Sequence, residues 1–304
     1  MSIHQSVIVT GANAGLGFEC AKAIACANEG WQVVLACRNM AKGEAAKQKI
    51  VAETGNNAVS VLALDLASLQ SVRDGVAVFK ESNLPPLRGL INNAGIQVFS
   101  GLAYTEDGFE TTFGTNHLGH FLLTSLLLDS MQEPARIVVV SSGTHDPETI
   151  EGRFNQPVWL GANRLAKPTS EKEMTGMQRY STSKLANLLF AYELNRRLTG
   201  RNITVNAFDP AAVPATNLLS SVQHPVVRWV LRASAKASTL LGVKVSTPEA
   251  SGKAMARLLL DEHLSGVTGK YYQINEKKRS SQQSYDQDLS RALWEDSLSL
   301  TGLA

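Results

Sequence analysis

Five residues into the chain, the apolar run Ser6–Thr10 (SVIVT) breaks into Gly11-Ala12-Asn13-Ala14-Gly15-Leu16-Gly17 and then into a helical pattern over 16–28. No other feature restricts the fold as tightly. A strand that is apolar throughout, without polar alternation, belongs in a parallel sheet covered on both faces. Glycines let the chain turn sharply and approach a bound group closely. The N-terminus of the following helix offers unpaired N–H groups and a positive dipole end to an anion. Between the first strand and first helix of a βαβ unit, Gly11, Asn13, Gly15, Leu16 and Gly17 therefore read as a cradle for a dinucleotide pyrophosphate. The spacing is GxxxGxG rather than GxGxxG.

The alternation continues down the chain. Apolar strands are expected at 32–37, 59–64, 90–92, 136–141 and 203–208. Helices are expected at 41–53, after an N-cap at Ser68, at 116–132 and at 180–198. Strand–helix repetition with right-handed crossovers builds an α/β fold with a doubly wound parallel sheet. No Pro/Gly/Ser-rich linker and no internal repeat divides the 304 residues, so 1–304 is expected to be one domain. Two stretches break the pattern: a long insertion over 143–179, with Pro147, Pro157 and Pro168, and an apolar, basic helical segment over 217–246. Both follow carboxyl ends of strands, where open α/β sheets bind ligands, and are expected to wall a substrate site.

Composition removes several classes. A net charge of +2 without a Lys/Arg run gives no footprint for nucleic acid. Cys20, Cys26 and Cys37 are too few and too clustered for a disulfide framework, and read as small buried thiols in a reducing compartment. The N-terminus enters an apolar strand without a targeting pattern, and no run approaches the length of a membrane span, so a cytoplasmic location is expected. His117 and His120, three apart, lack a third ligand of matching pattern, so no metal site is expected. Trp159 and Trp229 read first as packing residues.

The chemistry concentrates at strand ends. After the second strand, where an acid would bind a ribose 2′-hydroxyl, the chain has Cys37-Arg38, and a guanidinium suits a 2′-phosphate. NADP(H) is the expected cofactor. Asp65, followed by Leu66, can accept from an adenine amino group or cap a helix. Asn93-Ala94-Gly95 leave room beside the cofactor. Tyr180 and Lys184 in YSTSK lie one helical turn apart, where an ammonium would favour the phenolate. Ser142 can hydrogen-bond the same substrate oxygen as Tyr180.

TGANAGLG, NNAG and YSTSK, in this order, resemble the short-chain dehydrogenase/reductase family across nearly the whole chain. The resemblance implies a Rossmann sheet of about seven strands, entered for the seventh time near Gly269–Tyr272. It implies a catalytic set of Asn116, Ser142, Tyr180 and Lys184, with Tyr180, Lys184, Pro210 and Val213 also near the cofactor. Asn116 matches the family position that holds a relay water, and Ser142, not Ser141, the catalytic serine. ACRNMAKGEAA and DGFETTFGTNHLGHFLL are similar to the group of retinol dehydrogenases and light-dependent protochlorophyllide reductases, which act on large lipophilic substrates. The family Pro-Gly is replaced by Pro210-Ala211, and Thr216 follows near the expected carboxamide or phosphate. The insertion lacks the cysteine of the protochlorophyllide reductases. The leading expectation is an NADPH-dependent reductase or dehydrogenase of a bulky carbonyl or alcohol. Reduction of a ring carbon–carbon double bond and an idle NADP(H)-binding regulator are the alternatives. A homodimer through the helices at 116–132 and 180–198 is also expected from the family.

Overall fold

The computed structural model describes residues 3–27, 29–213 and 244–304. Seven strands run parallel: β1 (Gln5–Thr10), β2 (Trp31–Cys37), β3 (Val59–Ala63), β4 (Leu87–Asn92), β5 (Met131–Val140), β6 (Ile203–Asp209) and β7 (Tyr271–Gln273). An eighth, β8 (Glu276–Lys278), returns antiparallel to β7, giving the order β3-β2-β1-β4-β5-β6-β7-β8. The extra strand comes from a tight Ile274-Asn275 hairpin that a three-residue partner suffices to close. Val7, Ile8 and Val9 are fully buried, as the unbroken apolar run demands.

Helices cover both faces. On one lie α1 (Gly15–Cys26), α2 (Met40–Thr54) and, late in the chain, a helix over Pro248–Leu260, joined through Phe18, Ile24, Ile50 and Met255. On the other lie α3 (Leu69–Glu81), capped by Ser68 as expected, and a composite helix, α4. α4 passes from Thr111–Phe113 through a π-helical turn at Gly114–Leu118 into Gly119–Leu127. It starts earlier than expected because Glu110 accepts from the Phe113 N–H, and ends earlier because Met131 pairs with Leu87 and opens β5. The next helix, α5 (Gly176–Arg197), also starts early. Thr175 and Gln178 form a capping box, which sets Tyr180 one turn inside a finished helix end.

With α6 naming Pro248–Leu260, the last helix is α7 (Gln287–Leu300). It packs on α4 and α5 together. Trp294 stacks on Phe190 at 6.0 Å and meets Phe121 edge-on at 5.0 Å, while Ser297 Oγ pairs with His117 Nε2 at 2.9 Å. The helix pair expected to join two copies is therefore overlaid by the chain's own C-terminal helix. The 143–179 insertion folds into short helices at Ile150–Arg153 and Ala162–Ala166, and packs Leu165 and Met174 against Leu185, Leu189 and Leu293. Trp159 joins that cluster as a partly buried packing residue. Trp229, Thr216 and nearly all of 217–246 lie outside the described residues. Cys20 and Cys37 are buried, but Cys26 ends α1 exposed, since its side faces away from the sheet. Among the described residues no helix is long and apolar enough to cross a membrane.

Candidate active site

The sheet order reverses between β1 and β4, and the crevice outside their carboxyl ends is where such sheets take ligands. A cavity of about 760 Å³ opens there. Gly11, Asn13, Gly15, Leu16, Gly17, Arg38, Asp65, Leu66, Asn93, Ala94, Gly95, Tyr180, Lys184, Pro210 and Val213 all line it, together with Ser142. Asn116 does not, and neither does any residue of 143–179. The insertion expected as a substrate wall instead braces α5 and α7 from outside.

The glycine turn is built for close approach. Gly11 and Gly15 adopt left-handed backbone, φ 66° and 59°. A methyl on Gly17 would stand 2.5 Å from Asn93 Nδ2 and 2.6 Å from Gly11 O, so only glycine fits. Ala14 precedes α1 without a side-chain cap, which leaves the first helical N–H groups open to the cavity. Thr10 Oγ1 accepts from the N–H groups of Asn93 and Ala94, both at 2.9 Å, and ties β4 to this turn. These features fit a dinucleotide phosphate.

At the far end, Arg38 is exposed on the rim and makes no hydrogen bond or ion pair among the described residues. Asp65 lines the cavity and accepts from the Ala67 N–H at 3.0 Å in the turn ahead of α3; the helix cap itself is Ser68, so Asp65 is not an N-cap.

At the other end, Tyr180 and Ser142 share the cavity wall, and Lys184 Nζ lies 5.5 Å from the Tyr180 ring centre. Ser141 donates to Lys184 O at 2.9 Å. The expected acidification of Tyr180 is overturned. Burial raises its pKa, Asp209 raises it further, and Ser142 only partly opposes them, so the group is a phenol. Burial likewise lowers the Lys184 ammonium to about 8, against the pull of Asp209. Its Nζ finds one acceptor, Val140 O at 3.3 Å.

Asn116 sits in the π-helical turn, fully buried. Its amide grips residue 96, accepting from Ile96 N–H at 2.8 Å and donating to Ile96 O at 3.0 Å and to Ser183 Oγ at 3.0 Å. Its backbone oxygen meets His120 Nδ1 at 3.0 Å, and His120 Nε2 meets Thr10 Oγ1 at 2.9 Å. Both histidines of α4 are thus core residues, and no metal-binding group occurs among the described residues.

A family model described as short chain dehydrogenase matches residues 5–151. Human retinol dehydrogenase 13 is 38% identical over 302 residues, 98% of this chain and 85% of that one. The chain belongs to the short-chain dehydrogenase family. Within this family it falls in the retinol dehydrogenase-like group: mouse retinol dehydrogenase 11 is 37% identical, over 97% of this chain and 86% of that one. Chicken WW domain-containing oxidoreductase is 45% identical over 206 residues, 67% of this chain and 48% of its own. A solved structure from Mycobacterium Paratuberculosis shares 30% identity at a TM-score of 0.64, covering 99% of this chain and 94% of that one. As a family member the chain is an oxidoreductase that uses a nicotinamide dinucleotide.

Two features escaped the reading of the sequence. Asp209 ends β6 only 1% exposed, and its signal was the one acid in a buried strand, placed just before Pro210. Arg179 and Glu110 form a buried ion pair, Nε to Oε1 3.3 Å, that joins the residue before Tyr180 to the start of α4. Nothing in the spacing of Arg179 and Glu110 announced that contact.

Proposed function

We propose that this family member is an NADP(H)-dependent oxidoreductase of the carbonyl or alcohol carbon of a bulky, apolar substrate. The observation that carries the reading is the Tyr180 phenol on the cavity wall, with Ser142 on the same wall and the Lys184 ammonium beside it. When bound, the nicotinamide would supply or accept the hydride. The open end of α1 and the Gly11–Gly17 turn would hold its pyrophosphate, and the unpaired Arg38 a 2′-phosphate. Tyr180 donates its proton to the substrate oxygen during reduction and recovers it in the reverse direction. Ser142 orients that oxygen with a hydrogen bond. Lys184 keeps donors in reserve, since among the described residues only Val140 O engages it. Ile96, Val98, Val140 and Val213 give the cavity apolar wall, which suits a lipophilic substrate, as do the names of the retinol dehydrogenase relatives.

The test is NADPH oxidation across a panel of aldehydes and ketones. Tyr180→Phe should keep NADPH affinity and lower turnover about a hundredfold or more. Retained turnover in that variant removes Tyr180 from the mechanism, and tight NADPH binding with no turnover anywhere on the panel favours the idle regulator.

A further inference from the structure

Asp209 is not one of the catalytic residues, yet it lies directly behind the wall at the reacting end of the cavity. It closes β6, the strand whose carboxyl end delivers the cavity wall Pro210–Val213. One carboxylate oxygen accepts from the Ala211 N–H at 2.9 Å. The other accepts from Tyr271 OH at 2.9 Å and Gln273 Nε2 at 3.0 Å, and a methyl placed on Gly143 would lie 3.4 Å from it. The acid thus lies behind the backbone that follows Ser142. Among the described residues no Lys, Arg or His forms an ion pair with it, which is uncommon for a carboxylate so deeply buried.

Two consequences meet at this group. Ala211 adopts φ 60°, a left-handed conformation that costs a residue with a β-carbon roughly 1–2 kcal/mol. The bond from its N–H to Asp209 holds the turn in which that conformation occurs, as side-chain acids commonly do two residues on. Asp209 is also the charge that acts on both Tyr180 and Lys184, favouring the proton-bearing form of each. The other titratable groups about it are Tyr271 on β7, and His145 and Glu151 after β5. Tyr271 is kept a phenol by burial and by Asp209, and burial lowers the pKa of His145.

We propose that Asp209 is a positioning residue of this active site: it holds Ala211 in the left-handed turn that shapes the wall at 210–213. The proposal requires only that the cavity bind the dinucleotide.

The experiment compares the full-length protein with Asp209→Asn, Asp209→Ala, Ala211→Gly and the double variant Asp209→Ala/Ala211→Gly, each checked for folding by circular dichroism. NADPH affinity is read by fluorescence titration, without substrate. Asp209→Ala should weaken NADPH binding about tenfold, the scale of a lost hydrogen bond to a charged acceptor. Ala211→Gly should restore most of that loss, because glycine adopts the turn unaided. Equal affinity in Asp209→Ala and the unmodified protein, or a double variant as weak as the single one, overturns the role in the turn. Should Asp209→Ala not fold, failure of Ala211→Gly to refold it overturns the same role.

Asp209→Asn keeps an oxygen for the Ala211 N–H and should bind NADPH more tightly than Asp209→Ala; an equal loss overturns the role in the turn. If the unmodified protein turns over no carbonyl substrate, the proposed function fails, while the NADPH titrations still decide the turn.

Discussion

Replacing His117 by Phe should remove part of the protein's acid sensitivity, by an amount that follows from where the ring sits. His117 is fully buried among Phe113, Phe121 and Phe190, with ring centres at 5.1, 6.1 and 5.9 Å. The Ser297 hydroxyl donates to Leu293 O at 2.6 Å, so its oxygen must accept from His117, which fixes the proton on Nε2. Nδ1 is then a bare acceptor with no partner among the described residues. Protonation would add an N–H and a charge to an apolar pocket. Burial accordingly lowers the pKa of His117 to about 3, and His120 nearby adds to the shift. In the unfolded chain the ring titrates near 6.5. A base whose folded pKa is depressed contributes stability that is complete above the unfolded pKa and is lost as pH falls toward the folded one. Between pH 7 and pH 5 that loss is about 2 kcal/mol for His117. His120, lowered to about 4 chiefly by burial, contributes a similar loss over the same window. Urea unfolding at both pH values measures the total, to which carboxylates also contribute. The decisive quantity is the difference between proteins: His117→Phe should lose about 2 kcal/mol less than the unmodified protein from pH 7 to pH 5. Equal losses would show that His117 is not held neutral by the core.

Three further outcomes are expected. Gly17→Ala would force a methyl within 2.6 Å of Gly11 O, so NADPH affinity should fall at least about tenfold, with roughly 1–3 kcal/mol of stability lost; normal binding would show that the turn adapts. Arg38→Asp should exchange NADPH preference for NADH in a comparison of kcat/KM, and an unchanged ratio would mean the phosphate is read elsewhere. Arg179→Met leaves Glu110 buried and unpaired, so urea unfolding should show a loss of about 3–5 kcal/mol, and adding Glu110→Gln should recover part of it.

The parallel sheet and the phosphate cradle were legible because each rests on local rules. SVIVT can satisfy its apolar side chains only inside a covered sheet, and the glycines of 11–17 sit where left-handed turns or close contacts exclude other residues. Helix ends were read less well, since caps compete with propensity. The Thr175–Gln178 box starts α5 four residues before Tyr180, and strand pairing at Met131 ends the run that looked helical to 132. Long-range polar contacts were invisible. Tyr180 was expected to be acidified because its neighbour at four residues is a lysine, but its protonation depends more on burial and on Asp209, 29 positions away in the chain. Likewise, no local pattern connects Arg179 to Glu110 or Trp294 to Phe190.

These contacts also explain why a helix as polar as α5 can be buried on all sides. Arg179, Lys184 and Glu193 are each under 5% exposed, and three buried charges on one helix would be prohibitive if left unmatched. Arg179 has Glu110, and Glu193 has both Arg196 and Arg197 at 2.7 Å. Lys184 alone lacks a carboxylate in contact; it has one carbonyl and the more distant charge of Asp209. The two paired groups lie at the ends of the helix and serve to fix it, one against α4 and the other against its own last turn. The unmatched one faces the cavity. A fold that satisfied Lys184 as fully as it satisfies Arg179 would hold its pKa near the ordinary value and leave it no free donors. The incomplete match brings the ammonium to about 8 and keeps hydrogen-bonding capacity for whatever enters the cavity. Its desolvation is tolerated because α7, the insertion and the Arg179–Glu110 ion pair hold α5 in place around it.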